Sequence, residues 1–129
     1  MLEVTRQAYQ SRDFDAFAAC FLIPNVVQTP HATHRIETRE DLRATFDRML
    51  ENFDALGVID MHRRITHAVF HDAETIEAHF ESRHVLEGPQ FGADVRSKGF
   101  LRLVDGHWLI AEHVYITNSA PLIRALTPE

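Results

Sequence analysis

At Gly57 the hydrophobic period of this chain changes from that of a helix to that of a strand. Before it, Leu42, Phe46, Met49, Leu50 and Phe53 recur at three- and four-residue steps, so they share one side of a helix. The start of that helix is marked by Thr38-Arg39-Glu40-Asp41, a threonine followed three residues later by an acid, close to a capping box. Glu40 and Asp41 also sit where the helix dipole favours negative charge, and Gly57 is placed to end the helix in the left-handed conformation. After Gly57 the apolar residues alternate. Ile59 to Val69 reads as one strand, and Thr75 to Leu86 as a second. Val95 to Val104 and Trp108 to Thr117 make two more, joined through Asp105-Gly106, a strong hairpin signal.

The first third is helical and short-stranded. Residues 2–12 read as a short helix, and Asp13 caps a second, apolar one from Phe14 to Phe21, broken by Pro24 and Asn25. Val26 to Thr29 reads as a short strand ended by Pro30, and His31 to Glu37 as a loop. Gly88 to Gly92 reads as a loop as well. Three helices followed by four strands at hairpin spacing predict an α+β domain with a meander sheet. At 129 residues, 45% apolar and 25% charged, the chain is sized and composed for one globular domain, spanning residues 1–129.

The order of elements, with several local phrases, resembles the NTF2-like superfamily in its SnoaL-like, ketosteroid-isomerase-like branch. The phrases are Arg12-Asp13-Phe14-Asp15-Ala16-Phe17, Thr29-Pro30, Thr38-Arg39-Glu40-Asp41-Leu42 and Gly106-His107-Trp108-Leu109-Ile110. The resemblance implies a cone in which three N-terminal helices pack on a curved antiparallel, mixed-order sheet and enclose a pocket. It also implies a homodimer. Ketosteroid isomerases carry a carboxylate base just before the proline that follows the first strand, and this chain has Thr29 there. Their oxyanion-hole tyrosine on the first helix corresponds to Thr5. Both departures count against steroid isomerisation.

Which side chains line such a pocket depends on the last hairpin. A two-residue loop pairs Val104 with His107. A three-residue loop with Gly106 in a bulge pairs Leu103 with His107, and a one-residue change reassigns a whole face. The second is preferred here, because it keeps Arg96, Lys98 and Arg102 off the interior. It turns Ser97, Gly99 and Leu101 inward beside Leu109, Ala111, His113 and Tyr115. From the neighbouring strand come Phe80, Ser82 and His84, and Tyr9 reaches over from the first helix. His113 and His84 are then candidate acid/base residues and Tyr115 a candidate oxyanion donor. Arg63 or Arg64, whichever faces inward, would bind a ligand carboxylate, although a solvated outer arginine is the simpler expectation for each. Phe100, Trp108, Ile110 and Val114 form an apolar outer face, which predicts a dimer contact.

Other classes are excluded or expected absent. With a net charge of −6 and no Lys/Arg cluster the chain has no electrostatic footprint for nucleic acid. No leader-like segment or membrane-length apolar run is evident, so a cytoplasmic location is expected. The single cysteine, Cys20, sits in an apolar run as a buried thiol. Among nine histidines, His31 and His34 are grouped in a loop near Glu37, and His67 and His71 lie on one strand roughly 13 Å apart. Neither arrangement has a recognised ligand spacing, so neither a metal nor a cofactor is expected. The functional expectation is a small-molecule pocket. It would serve either a cofactor-free isomerase, cyclase or dehydratase, or a non-catalytic ligand-binding or dimerisation domain.

Overall fold

The helical and alternating segments become nine elements in a computed structural model that describes residues 2–30, 32–87 and 91–116. Helices α1 (Leu2–Ser11) and α2 (Phe14–Ala18) are followed by strands β1 (Phe21–Gln28) and β2 (Thr33–Ile36), then by helix α3 (Arg39–Leu56). Strands β3 (Val58–Asp72), β4 (Thr75–Leu86), β5 (Phe91–Val104) and β6 (His107–Tyr115) complete the order. The strands form one mixed sheet, β2-β1-β6-β5-β4-β3. The four strands after Gly57 are a meander, as the alternation predicts, and β6 then pairs parallel with β1.

Two early segments differ from the sequence reading. Helix α2 stops at Ala18, and the chain is already extended from Phe21, because Ile110 N–H donates to Cys20 O and Phe21 pairs with Ile110. The segment read as a loop contains β2, whose Thr33 to Ile36 pair antiparallel with Asn25 to Gln28. Only Ile36 of that strand is fully buried, so it leaves almost no alternating signature. The three helices are therefore not consecutive, since a two-stranded excursion precedes α3.

Helix α3 is delimited by the residues its sequence marks. Thr38 Oγ1 accepts from Asp41 N–H, and the Asp41 carboxylate accepts in return from the Thr38 and Glu37 N–H groups. Gly57 closes the helix at φ 74°. Its stripe of Leu42, Phe46, Met49, Leu50 and Phe53 is buried against Ala8, Phe14 and Phe17 of the other helices and Met61 and Val95 of the sheet. Tyr9 is wedged into the same layer, stacked on Phe46 and edge-on to Phe53. Helix α1 is tied to the sheet by a two-pronged bond, in which Arg6 Nε and Nη2 donate to the two Asp60 oxygens at 2.9 and 3.0 Å. That bond holds the Asp60 carboxyl below its usual range.

The last hairpin corrects the preferred register. Val104 pairs with His107, so the loop has two residues, and Asp105 and Gly106 both take positive φ (50° and 79°), the demand of a type I′ turn. The extra residue lies further along. Leu101 pairs with Ile110 but Phe100 with Glu112, which leaves Ala111 as a bulge within β6. Beyond it Gly99 faces His113 and Ser97 faces Tyr115. Before it, Ile110 is turned to the helices and buried, while Leu109 lies across from Arg102. Trp108 shares the side of Ile110, its ring edge-on to Phe70. Ile110 and Trp108 thus leave the expected outer apolar face, where only Phe100 and Val114 of the predicted four remain. Beside them stand Arg64, Glu77, His79, Glu81 and Glu112.

Loss of the cap should be measurable. Thr38→Ala removes an acceptor from the α3 N-terminus and is expected to lower unfolding free energy by about 1 kcal/mol in urea denaturation.

Candidate functional site

All three helices and all six strands contribute to a cavity on the helix side of the sheet. Helix α1 contributes Thr5 and Tyr9, and α3 contributes Leu42, Thr45, Met49 and Phe53. The meander supplies Met61, Arg63, Phe80, Ser82, His84, Val95, Ser97, Ile110, His113 and Tyr115. Its volume is about 80 Å³, room for several waters. Most of the wall is apolar, and among the described residues its lining includes neither aspartate nor glutamate.

His113, His84, Tyr115, Tyr9, Phe80, Ser82 and Ser97 all stand in that lining. Gly99, Leu101, Leu109 and Ala111, also expected there, do not. The bulge at Ala111 puts Ile110 in the place anticipated for Leu109 and Ala111. At Gly99 the vacant side-chain position is filled by the Phe80 ring, since a Cβ there would meet Phe80 Cε2 at 3.2 Å. The small residue makes room for a neighbouring wall side chain rather than for a ligand. Thr5 is buried in the lining, whereas Thr29 belongs to the β1–β2 turn, where its N–H and hydroxyl bond Ala32. The positions compared with the isomerase acid and base thus contribute one hydroxyl and no carboxylate.

The residue that the sequence left undecided is Arg63. It pairs with Ser82 on the helix side of β3, and Arg64 turns to the far side to meet Glu81 at 2.6 Å. Alternation alone places one of the two inward, but only the bulge-bearing register of β3 decides which. Arg63 Nε is buried without a hydrogen-bond partner, and so is His113 Nε2. His113 stacks on Tyr115, ring centroids 4.4 Å apart and planes within 10°. Phe80 lies on its other flank at 6.2 Å.

Electrostatics follow from burial and from that one cation. Burial first, and the charge of Arg63 second, push His113 down from 6.5 to about 3. Burial pushes the Tyr115 hydroxyl up to about 12, against the opposing pull of Arg63, and moves Tyr9 in the same direction. Near neutral pH the cavity therefore holds a neutral imidazole, two protonated phenols and a guanidinium. Burial lowers the Arg63 value from 12.5, but guanidinium stays charged in proteins.

This architecture is the NTF2-like fold. Among solved structures with it, an NTF2-like protein of unknown function from Shewanella oneidensis matches at 9% identity and TM-score 0.70, over 88% of this chain and 91% of that one. A ketosteroid isomerase-like protein from Erwinia carotovora matches at 17% identity and TM-score 0.65, over 90% and 91%. A protein of unknown function with a cystatin-like fold, from Nostoc punctiforme, matches at 17% identity and TM-score 0.71, over 94% and 89%. At such identities the likeness is one of fold. No protein-family model and no curated protein matches the sequence.

The depressed His113 value has a definite sign. In the unfolded chain the imidazole takes up a proton below about pH 6.5, while in the fold it resists until about pH 3. Stability is therefore lost as pH falls through that window, by at most about 1.4 kcal/mol per pH unit for this one group. His113→Asn is expected to flatten the pH dependence of unfolding free energy between about pH 6 and 4 relative to the parent. Parallel profiles would remove the buried neutral imidazole from the account.

Proposed function

We propose that this chain binds a small, largely apolar molecule in the cavity between α1, α3 and the sheet. The observation that carries the reading is the pair of buried, unpartnered polar atoms, Arg63 Nε and His113 Nε2, on the wall of a space large enough for several waters. Native interiors pair such groups, and an orphan in a cavity is satisfied by something that enters it. Apolar walls with a few converging polar groups are the usual make-up of a ligand site. A thermal-shift panel of small acids, ketones and alcohols tests this, beside a Ser97→Phe variant that fills the space. At 100 times its Kd a ligand adds about 2.7 kcal/mol of stability. At least one class should raise the parent's melting temperature and leave the filled variant unmoved. A panel that moves neither defeats the reading.

A second reading makes the same cavity catalytic, as a cofactor-free isomerase, cyclase or dehydratase. What favours it is the contact between His113 and Tyr115. A neutral imidazole able to relay a proton is stacked beside a phenol able to donate to a developing oxyanion. The low value of His113 makes it a weak base in the ligand-free cavity. Catalysis therefore requires a ligand that raises that value. His84 is a second candidate on the neighbouring strand. On this reading His113→Asn lowers kcat on a ketone or enol substrate by about 10²-fold or more while binding persists. Unchanged turnover would leave the binding role alone.

A further inference from the structure

Arg63 is the feature of this cavity that the fold itself does not explain. Among the described residues six arginines form ion pairs with acids: Arg6, Arg12, Arg35, Arg39, Arg43 and Arg64. Most of these pairs are exposed, where a lone arginine would have been solvated at no cost. Arg63 has less water and no acid. Its Nε is buried and unbonded, and among the described residues no carboxylate stands in the cavity lining. Arg63 as a whole is half-buried, and holding its charge there without a counter-charge costs stability that a leucine or methionine at that position of β3 would not. The aromatic groups around it offer no negative charge at neutral pH, because burial keeps Tyr9 and Tyr115 protonated.

We propose that Arg63 is the recognition residue for a carboxylate, so that the cavity takes a small monocarboxylate with an apolar body. This rests on the reading of the cavity as a ligand site and specifies its substrate class. A guanidinium presents parallel N–H donors that match a carboxylate two to two, an arrangement stronger and more oriented than a neutral hydrogen bond. One cation balances one carboxylate. A phosphate dianion would call for a second cation, whereas besides Arg63 the described lining offers hydroxyls (Thr5, Thr45, Ser82, Ser97), two phenols and the imidazoles of His84 and His113, the latter held neutral by burial. Phe80, Met61, Val95 and Ile110 remain for the apolar body. The same binding event bears on His113. Arg63 is one of the two causes that keep its imidazole neutral, and a carboxylate seated on the guanidinium cancels that cause. The ligand would thus raise the basicity of the histidine beside it.

Isothermal titration with benzoate, its uncharged amide benzamide, and inorganic phosphate tests the proposal on the parent, Arg63→Met and Arg63→Lys. Benzoate should bind the parent at least about tenfold more tightly than benzamide. Arg63→Met should lose that preference while still binding benzamide, and should melt at a higher temperature because a half-buried charge without a counter-charge is gone. Arg63→Lys, which keeps the charge without the fork, should retain a reduced preference, and it decides the matter if the methionine variant does not fold. Equal binding of benzoate and benzamide, or benzoate binding unchanged in Arg63→Met, overturns the proposal and leaves the cavity reading standing. Preference for phosphate over benzoate overturns the monocarboxylate class. Binding of none of the three overturns both readings.

Discussion

Strand β6 carries one residue more than its neighbour between Ile110 and Glu112, and the chemistry of the cavity depends on that bulge at Ala111. In a strand successive side chains point to opposite faces, so an unbroken β6 that buried Ile110 would bury Glu112 and Val114 next, and expose His113 and Tyr115. The bulge resets the alternation. Ile110 stays in the apolar wall, and His113 and Tyr115 come to face Gly99 and Ser97 from the helix side. It also keeps Glu112 on the far face, where its carboxylate accepts from Gln28 Nε2 on the adjoining strand β1. Glu112 is therefore absent from the cavity lining, and Arg63 has no internal counter-charge from this strand.

That absence sets the electrostatic character of the site. Burial, aided by the single guanidinium of Arg63, keeps His113 neutral, and burial keeps both phenols protonated. Local stability is sacrificed, since Arg63 Nε and His113 Nε2 go unbonded there. The surrounding frame offsets it: the aromatic layer of Tyr9, Phe17, Phe46 and Phe53, the capped α3, and the Arg6–Asp60 bond that fixes α1 over the sheet. On the proposed reading, a ligand supplies the partners that the fold withholds from these groups.

Much of the fold could be read from local signals, because those signals are themselves the physics. Thr38 and Asp41 cap a helix wherever they occur at that spacing, Gly57 ends it without strain, and Asp105-Gly106 suits a tight turn. Strand β2 and the early start of β1 could not be read. The early start of β1 is fixed by a partner distant in sequence, Phe21 by Ile110, and β2 by its antiparallel pairing with Asn25 to Gln28, not by periodicity of their own. In the site, seven of the eleven expected residues do line the cavity. The preferred register grouped Ser97, Gly99, His113 and Tyr115 together by placing a bulge in the turn. The structure reaches the same grouping with the bulge inside the strand, which is why Leu109 and Ala111 failed and Ile110 was missed. Gly99 misled differently: its small size serves the Phe80 ring.

The sequence alone determined that helices would cover a meander sheet, where α3 begins and ends, and that isomerase-type residues are missing at Thr5 and Thr29. These depend on caps, periods and residue identity, all of which are local. Only the tertiary structure decided which of Arg63 and Arg64 faces inward, and that among the described residues no acid accompanies it. Both depend on bulges that shift a strand by one residue. A one-residue shift leaves composition and period almost unchanged while exchanging the two faces of the sheet.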